Sequence, residues 1–284
     1  MAIRTGDPYQ RISQAMGRTI LHIILLGGAV TMVAPFVWML SSSLKKNLEV
    51  FHIPPTLIPE VPQWHNYIEI FKVVPYSRWF LNSTFIAVTQ TVLYLFVASL
   101  AGYTFSRLRF PGREAIFTLY LATLMVPGEV TLIPKFILMK ELNLIDTFTA
   151  VILPGVFNAY GVFLLRQFFM TLPDSLEEAA ILDGASYFRI YWNIILPLAG
   201  PALATLGLFS FMGAWNDFLW PLIVINSENM KPLSVGLASF HGLYETNWPL
   251  LMAASTVALI PIIIIFVVAQ KYFVQGIALT GLKE

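Results

Sequence analysis

Charge falls along this chain in clumps separated by long apolar runs, and those runs predict its elements. After Arg4, Arg11 and Arg18 no charge appears until Lys45, which predicts a first spanning helix over about 19–41, long enough for the ~20 residues a bilayer requires. Its apolar stretch exceeds that of a secretory signal and lacks a small-residue cleavage site, so it reads as an uncleaved anchor. A second uncharged run, Trp79 to Ser106, predicts another helix, followed at once by Arg107, Arg109 and Arg113. The third, about 115–139, is interrupted by Pro127, Gly128 and Glu129, where proline removes a donor and a kink is expected. Glu129 is then an ionisable group at membrane depth, with Lys135 as its expected partner. The fourth covers about 147–169, with Pro154, Gly155 and Asn158 inside it and Arg166 and Gln167 at its end. The fifth starts near Ile194 and places Trp215, Asn216 and Asp217 roughly 30 Å further on at ~1.5 Å per residue. The sixth runs from about Trp248 to Phe273.

The connections are polar. Residues 45–78 hold Pro54, Pro55, Pro59, Pro62 and Pro75 and read as an exposed loop with at most a short helix. Trp64, Tyr67, Tyr76 and Trp79 suit an interfacial belt. Residues 226–249, with Glu228, Lys231 and Glu245, form a second outer loop. Residues 174–197 are a polar island between apolar stretches. There Ser175 with Glu178 matches a capping box, Gly184 is placed to close the helix in a left-handed conformation, and Ser186 to cap a second helix toward Pro197. Leu176, Ala179, Ala180 and Asp183 share one face at helical spacing, low enough for another protein to approach.

Composition agrees with a membrane chain: 57% of residues are hydrophobic and 12% charged, against roughly 25% charged in soluble domains. Placing both ends and the loops around Arg109 and Gly184 inside puts ten basic residues inside and seven outside, of 17 in all, which favours that orientation. A net charge of +1 argues against a nucleic-acid partner. Without cysteine there is no disulfide or thiolate chemistry, and His22, His52, His65 and His241 lack ligand spacing.

Within the island, Glu178-Ala179-Ala180, three residues, Gly184, nine residues, Ile194, one residue and Leu196-Pro197 is similar to the EAA loop of membrane subunits of binding-protein-dependent ATP-binding-cassette importers. Residues 163–173, 215–221 and 102–112 resemble the carbohydrate branch, the maltose and glycerol-3-phosphate permease type; the likeness covers about 75–284. The resemblance implies an all-α membrane protein with six transmembrane helices in the type I importer permease fold. Its parts would be a cytoplasmic N-terminus (1–18), a first helix and outer loop (19–75), a core (76–273) carrying the coupling loop (173–193), and a cytoplasmic tail (274–284) that in relatives reaches the ATPase interface. It also implies a multi-pass protein of the cell inner or plasma membrane. The partners would be a second homologous permease, two ATPase subunits that bind ATP and Mg, and an external solute-binding protein delivering a sugar or polyol. Glu177, Glu178, Ala179, Ala180, Asp183, Gly184 and Ala185 would then contact the ATPase.

This chain has no Walker pattern and no cofactor motif of its own, so no catalytic residue is assigned. Nor is a metal site, because carboxylates near a helix start are already favoured by the dipole. For the solute path the candidates are Asn158, Tyr160, Ser210, Trp215, Asn216 and Asp217. Amide and carboxylate groups hydrogen-bond hydroxyls while a Trp face covers the apolar side of a sugar ring. The alternatives are the same importer class carrying glycerol-3-phosphate or a phosphodiester, and, outside the class, an ion-coupled secondary transporter. The latter calls for charges deep in several helices, of which only Glu129 is present.

Overall fold

The computed structural model describes residues 8–238, 240 and 246–280. Arg4, His241, Glu245 and Lys283 lie outside the described residues, as does the end of the expected tail beyond Thr280. Among the described residues the regular structure is helical: α1 (Pro8–Ser43), α2 (Asn66–Val73), α3 (Tyr76–Arg107), α4 (Arg113–Ala122), α5 (Leu132–Glu141), α6 (Phe148–Val156) and α7 (Ala159–Met170). It continues with α8 (Ser175–Leu182), α9 (Tyr187–Ile190), α10 (Leu196–Leu198), α11 (Gly200–Asn216), α12 (Leu219–Val224), α13 (Leu233–Ala238) and α14 (Trp248–Thr280). Among these residues, Met16–Ser43, Tyr76–Arg107 and Trp248–Gln270 are long and apolar enough to cross a membrane unaided. Two bent pairs bring the count to five: α6 with α7 at 41°, and Tyr187–Leu198 with Gly200–Asn216 at 78°.

The remaining expected span is more broken than a kink. α4 passes into a 3-10 turn at Thr123–Met125, and a run of turns through Pro127, Gly128 and Glu129 precedes α5. Lys135 does not pair with Glu129; its ammonium lies 5.4 Å from the centre of the Trp220 ring, while Glu129 is exposed. The Trp220 ring nitrogen in turn donates to the carbonyl of Ala150 at 2.9 Å. That carbonyl lacks its usual helical partner because residue 154, four positions on, is a proline with no N–H.

The chain divides into two compact units, Met1–Ile70 with Gly242–Thr256 and Phe71–His241 with Val257–Glu284. In the first, the end of α1 is tied to the loop behind it. Lys45, expected on the surface, is 1% exposed: its ammonium donates to the Thr56 carbonyl and lies over the Trp38 ring at 4.6 Å. Asn66 donates to the Ser43 and Lys45 carbonyls at 2.8 and 3.3 Å, and Ser43 meets the Tyr67 hydroxyl at 2.7 Å. Trp248 stands edge-on to Phe51.

In the second unit α3 is central, with α6, α7, α11 and α13 against it. Membrane helices gain little from hiding apolar surface, which lipid solvates as well as protein does, so they associate through close contact at small residues. A Cβ on Gly102 would sit 3.1 Å from the Leu165 Cβ and 3.2 Å from the Arg166 amide nitrogen; one on Gly161 would collide with the Tyr94 hydroxyl. Tyr76 and Trp79, expected in an interfacial belt, are instead fully buried, and the Trp79 ring nitrogen donates to the Glu228 carbonyl at 3.3 Å. Asn82 donates to the Asn229 and Lys231 carbonyls at 2.8 and 2.9 Å, and Ser83 accepts from the Leu233 amide at 2.7 Å. The start of α3 is thus a cradle for the 228–233 loop.

Gly102→Val places branched carbons against backbone that cannot yield, and overpacking of this kind costs about 1–3 kcal/mol. The detergent-solubilised protein is expected to melt several degrees lower, whereas Gly213→Ala, inside α11 where a Cβ meets nothing within 4 Å, does not lower the melting temperature.

Candidate functional site

The polar island folds as a short knob. α8 starts one residue earlier than the capping box predicts: Asp174 is its N-cap residue, in helical conformation and without a side-chain capping bond, so Ser175 and Glu178 form no box. Asp174 is held elsewhere, by Arg107. The other end closes as expected. Gly184 has φ of +78°, its amide donates to the Ile181 carbonyl at 3.0 Å, and the Ala185 amide donates to the Ala180 carbonyl at 2.9 Å. These two bonds form a Schellman closure, which needs a left-handed residue at that position. Ser186 then caps α9, accepting from the Arg189 amide at 3.4 Å. A π-turn over Tyr191–Ile195 follows, where the Leu196 amide reaches back to the Tyr191 carbonyl just before Pro197, and α11 departs after the 78° bend.

One arginine, Arg107, holds this knob to α3 and the end of α7, and a second, Arg166, ties α7 to α3 and α4. Arg107, the last residue of α3, has a side chain only 6% exposed. One terminal nitrogen pairs with Asp174, and the other donates to the Phe169 and Leu172 carbonyls at 2.5 and 2.6 Å, at and just past the end of α7. Its Nε lies 3.2 Å from the Glu177 carboxylate, an ion pair out of line for a hydrogen bond. Burial pushes the Glu177 carboxyl above the usual carboxylate range, and the Arg107 charge acts against that shift. Arg166 of α7 reaches the opposite way. Its Nε donates to the Phe105 carbonyl of α3 at 3.1 Å, Nη2 binds both oxygens of Glu114 on α4 at 3.0 Å, and the guanidinium lies 4.2 Å from the Phe117 ring. In the sequence both arginines carry only the signal of the positive side of the membrane, and nothing in their spacing distinguishes a clasp from a surface charge.

The knob's two alanines differ in exposure. Ala180 is 7% exposed and belongs to the core formed with Tyr103, Phe169, Ile190 and Tyr191, while Ala179 is on the surface. The expected low face of paired alanines is therefore not presented. The exposed surface instead carries Glu178, Ala179, Asp183 and Leu182, the last 88% exposed, with Ala185 partly covered. Phe188 and Trp192 stack at 6.3 Å nearby, both exposed.

The solute-path candidates are bonded to separate partners. Asn158 sits at the break between α6 and α7, where its side chain caps α7 by accepting from the Tyr160 amide at 2.9 Å, and both residues are exposed. Ser210 of α11 accepts from Thr91 of α3 at 3.3 Å. Trp215 is 4% exposed, stacked on Phe211 at 5.6 Å and edge-on to Phe80 at 5.5 Å, so it fills the core and offers no face to a sugar. Asn216 is exposed and donates to the Met212 carbonyl at 2.9 Å; Asp217 ends α11, its backbone carbonyl accepting from Ser234 at 2.6 Å. In the loop before α6, Asp146 accepts from the amides of Asn226 and Ser227 at 2.9 Å and from the Ser227 hydroxyl. That hydroxyl first, then the Ser227 amide, holds its carboxyl below the usual range. Among the described residues no group of His, Asp and Glu could hold a metal ion.

Comparison with known proteins bears on this arrangement. The family model described as "Binding-protein-dependent transport system inner membrane component" matches residues 94–279. The chain is 39% identical over 252 residues to the arabinooligosaccharides transport system permease protein AraQ of Bacillus subtilis (strain 168), covering 88% of this chain and 90% of that one. It is 37% identical over 265 residues to the sn-glycerol-3-phosphate transport system permease protein UgpE of Yersinia pestis, covering 90% and 94%. Among solved structures it resembles a chain of a bacterial ABC transporter involved in the import of the acidic polysaccharide alginate, with TM-score 0.82, 26% identity and coverage of 95% and 100%. A second likeness, to a chain of the alginate transporter in complex with an alginate pentasaccharide-bound periplasmic protein, has TM-score 0.65 at 14% identity and supports the fold. With its apolar helices and the family model matching 186 of its 284 residues, from 94 to 279, the chain belongs to the binding-protein-dependent transport system inner membrane components.

Proposed function

We propose that this chain is the permease subunit of an ATP-driven importer that passes a sugar or polyol delivered by an external solute-binding protein. It would work beside a second permease and two ATPase subunits, which bind ATP with Mg and to which α8 presents the coupling surface. The observation that carries the reading is the knob itself: a short helix closed by a left-handed Gly184, gripped from behind by Arg107 and bearing a nearly bare Leu182 at its tip. A leucine so exposed on a soluble-side element is stabilised by burial against a partner, at about 1.5–3 kcal/mol. The negative Glu178 and Asp183 flanking it suit a socket with positive rim charges.

The solute class rests on relatives whose names specify arabinooligosaccharides and sn-glycerol-3-phosphate, both hydroxyl-bearing carbon chains. In this chain the polar side chains left at breaks in apolar helices, Asn158 between α6 and α7 and Asn216 with Asp217 between α11 and α12, are the groups suited to such hydroxyls. Orientation follows from the basic clusters, with the Arg107 end of α3 and the knob toward the cytoplasm.

The chain has no native cysteine, so single substitutions report cleanly. Leu182→Cys is expected to crosslink to an ATPase subunit and Ala180→Cys to remain unreactive; a crosslink at neither Leu182 nor Ala179 would remove the docking role. Gly184→Val meets no steric obstacle but is strained by roughly 1 kcal/mol or more at positive φ, and should lower uptake per ATP hydrolysed while leaving the protein in the membrane. For orientation, an impermeant maleimide applied to intact cells should label Ile58→Cys and spare Ser186→Cys. The reverse pattern overturns the assigned sidedness. For the solute, Asn216→Ala with Asp217→Ala should raise the half-saturating concentration for uptake, because each lost hydrogen bond costs about 0.5–1.5 kcal/mol. Unchanged uptake would assign the contacts to the partner permease.

A further inference from the structure

Arg107 gathers four groups from two segments onto one guanidinium: the Asp174 and Glu177 carboxylates at the start of α8, and the Phe169 and Leu172 carbonyls that end α7, all held from the last residue of α3. The covalent routes out of α8 are compliant by comparison. Backward, the chain crosses the turn 171–174; forward, it crosses the Gly184 turn, a π-turn and the 78° bend before α11. α3 is continuous over 32 residues, about 48 Å at ~1.5 Å per residue. Its far end holds the 228–233 loop through Arg78, Trp79, Asn82 and Ser83, which bind the backbone at Glu228, Asn229, Lys231 and Leu233.

We infer that Arg107 is a positioning residue for coupling, which passes displacement of α8 directly into α3 and, along that rod, to the 228–233 loop at the opposite end. The inference rests on the reading of α8 as the docking element. The grip is suited to the task because a planar guanidinium fixes direction as well as distance: carbonyls hold one terminal nitrogen and carboxylates hold the rest of the fork. A lysine would keep the charge and lose the orientation. The side chain of Asn229, exposed on a loop whose backbone α3 holds, offers a place to read the far end.

The test uses the assembled importer. Three forms are compared with the parent, Arg107→Lys, Arg107→Ala and the pair Asp174→Asn with Glu177→Gln, each carrying either Leu182→Cys or Asn229→Cys. The measurements are the Leu182 crosslink to the ATPase subunit, uptake per ATP hydrolysed, and the rate of maleimide labelling at Asn229 with and without trapped nucleotide. The expected result is a preserved crosslink, uptake per ATP lowered at least fivefold in Arg107→Lys and in the carboxylate pair, and a nucleotide-dependent change in labelling that is present in the parent and lost in the variants. If Arg107→Ala fails to assemble, the carboxylate pair decides, since it leaves the carbonyl bonds in place. A variant that assembles, crosslinks and keeps parental uptake per ATP and parental labelling overturns the inference while sparing the docking role. Absence of the crosslink in the parent itself removes the docking role, and the inference with it.

Discussion

The second unit depends on a reciprocal clasp between α3 and α7. Arg107 at the end of α3 takes the carbonyls that end α7, and Arg166 inside α7 takes the Phe105 carbonyl near the end of α3. Between them the helices touch at Gly102, where no side chain intervenes. Each guanidinium is largely removed from water and depends on its partners to avoid a stranded charge; Glu177 is buried with Arg107, whereas Asp174 and Glu114 stay open to solvent. The two charges are therefore held where their partners are, and their partners include both the first turn of α8 and the first turn of α4. The first turn of α8 and the start of α4 are thus both tied to the α3–α7 pair, the one by Arg107 and the other by Arg166.

The breaks in the apolar helices follow a second constraint. In hydrocarbon every freed backbone group needs a partner within the protein. At Pro154 the orphaned Ala150 carbonyl receives the Trp220 indole, which brings α12 against α6; Lys135 of α5 then lies over the same ring. At the α6/α7 break Asn158 caps the new helix start. At the α11/α12 break Ser234 covers the Asp217 carbonyl. The breaks at Pro154 and Asp217 are thus also junctions between separate elements.

Much of this was legible in the residues and some was not, for identifiable reasons. Most spans appear as uncharged runs, and Gly184 and Ser186 as closure and cap, because these are local signals that nothing in the tertiary structure opposes, whereas the Ser175–Glu178 box gives way to the Arg107 pair. The face of a membrane helix is harder to read, since core and lipid are equally apolar: Trp79, Trp215 and Tyr76 were placed at interfaces or in the solute path and lie in the core. Ala179 and Ala180 were read as one face, but adjacent residues on a helix stand about 100° apart, and the core takes only Ala180. Arg107 carried no special signal because an arginine at the end of a span is already explained by the positive-inside bias. Its role exists only once Asp174, Glu177 and the α7 carbonyls are brought to it, from positions more than sixty residues on.

The displaced capping box shows what the knob requires. A free α8 would gain from Ser175 as N-cap with Glu178 folding back, worth about 1 kcal/mol. Here the helix starts at Ser175 instead, its N-cap residue Asp174 is turned into the Arg107 pair, and Glu178 points outward. Local helix stability has been exchanged for attachment to α3 and for a carboxylate on the exposed face. The first turn of α8 is held to α3 by a guanidinium fork, and its last turn closes at the left-handed Gly184.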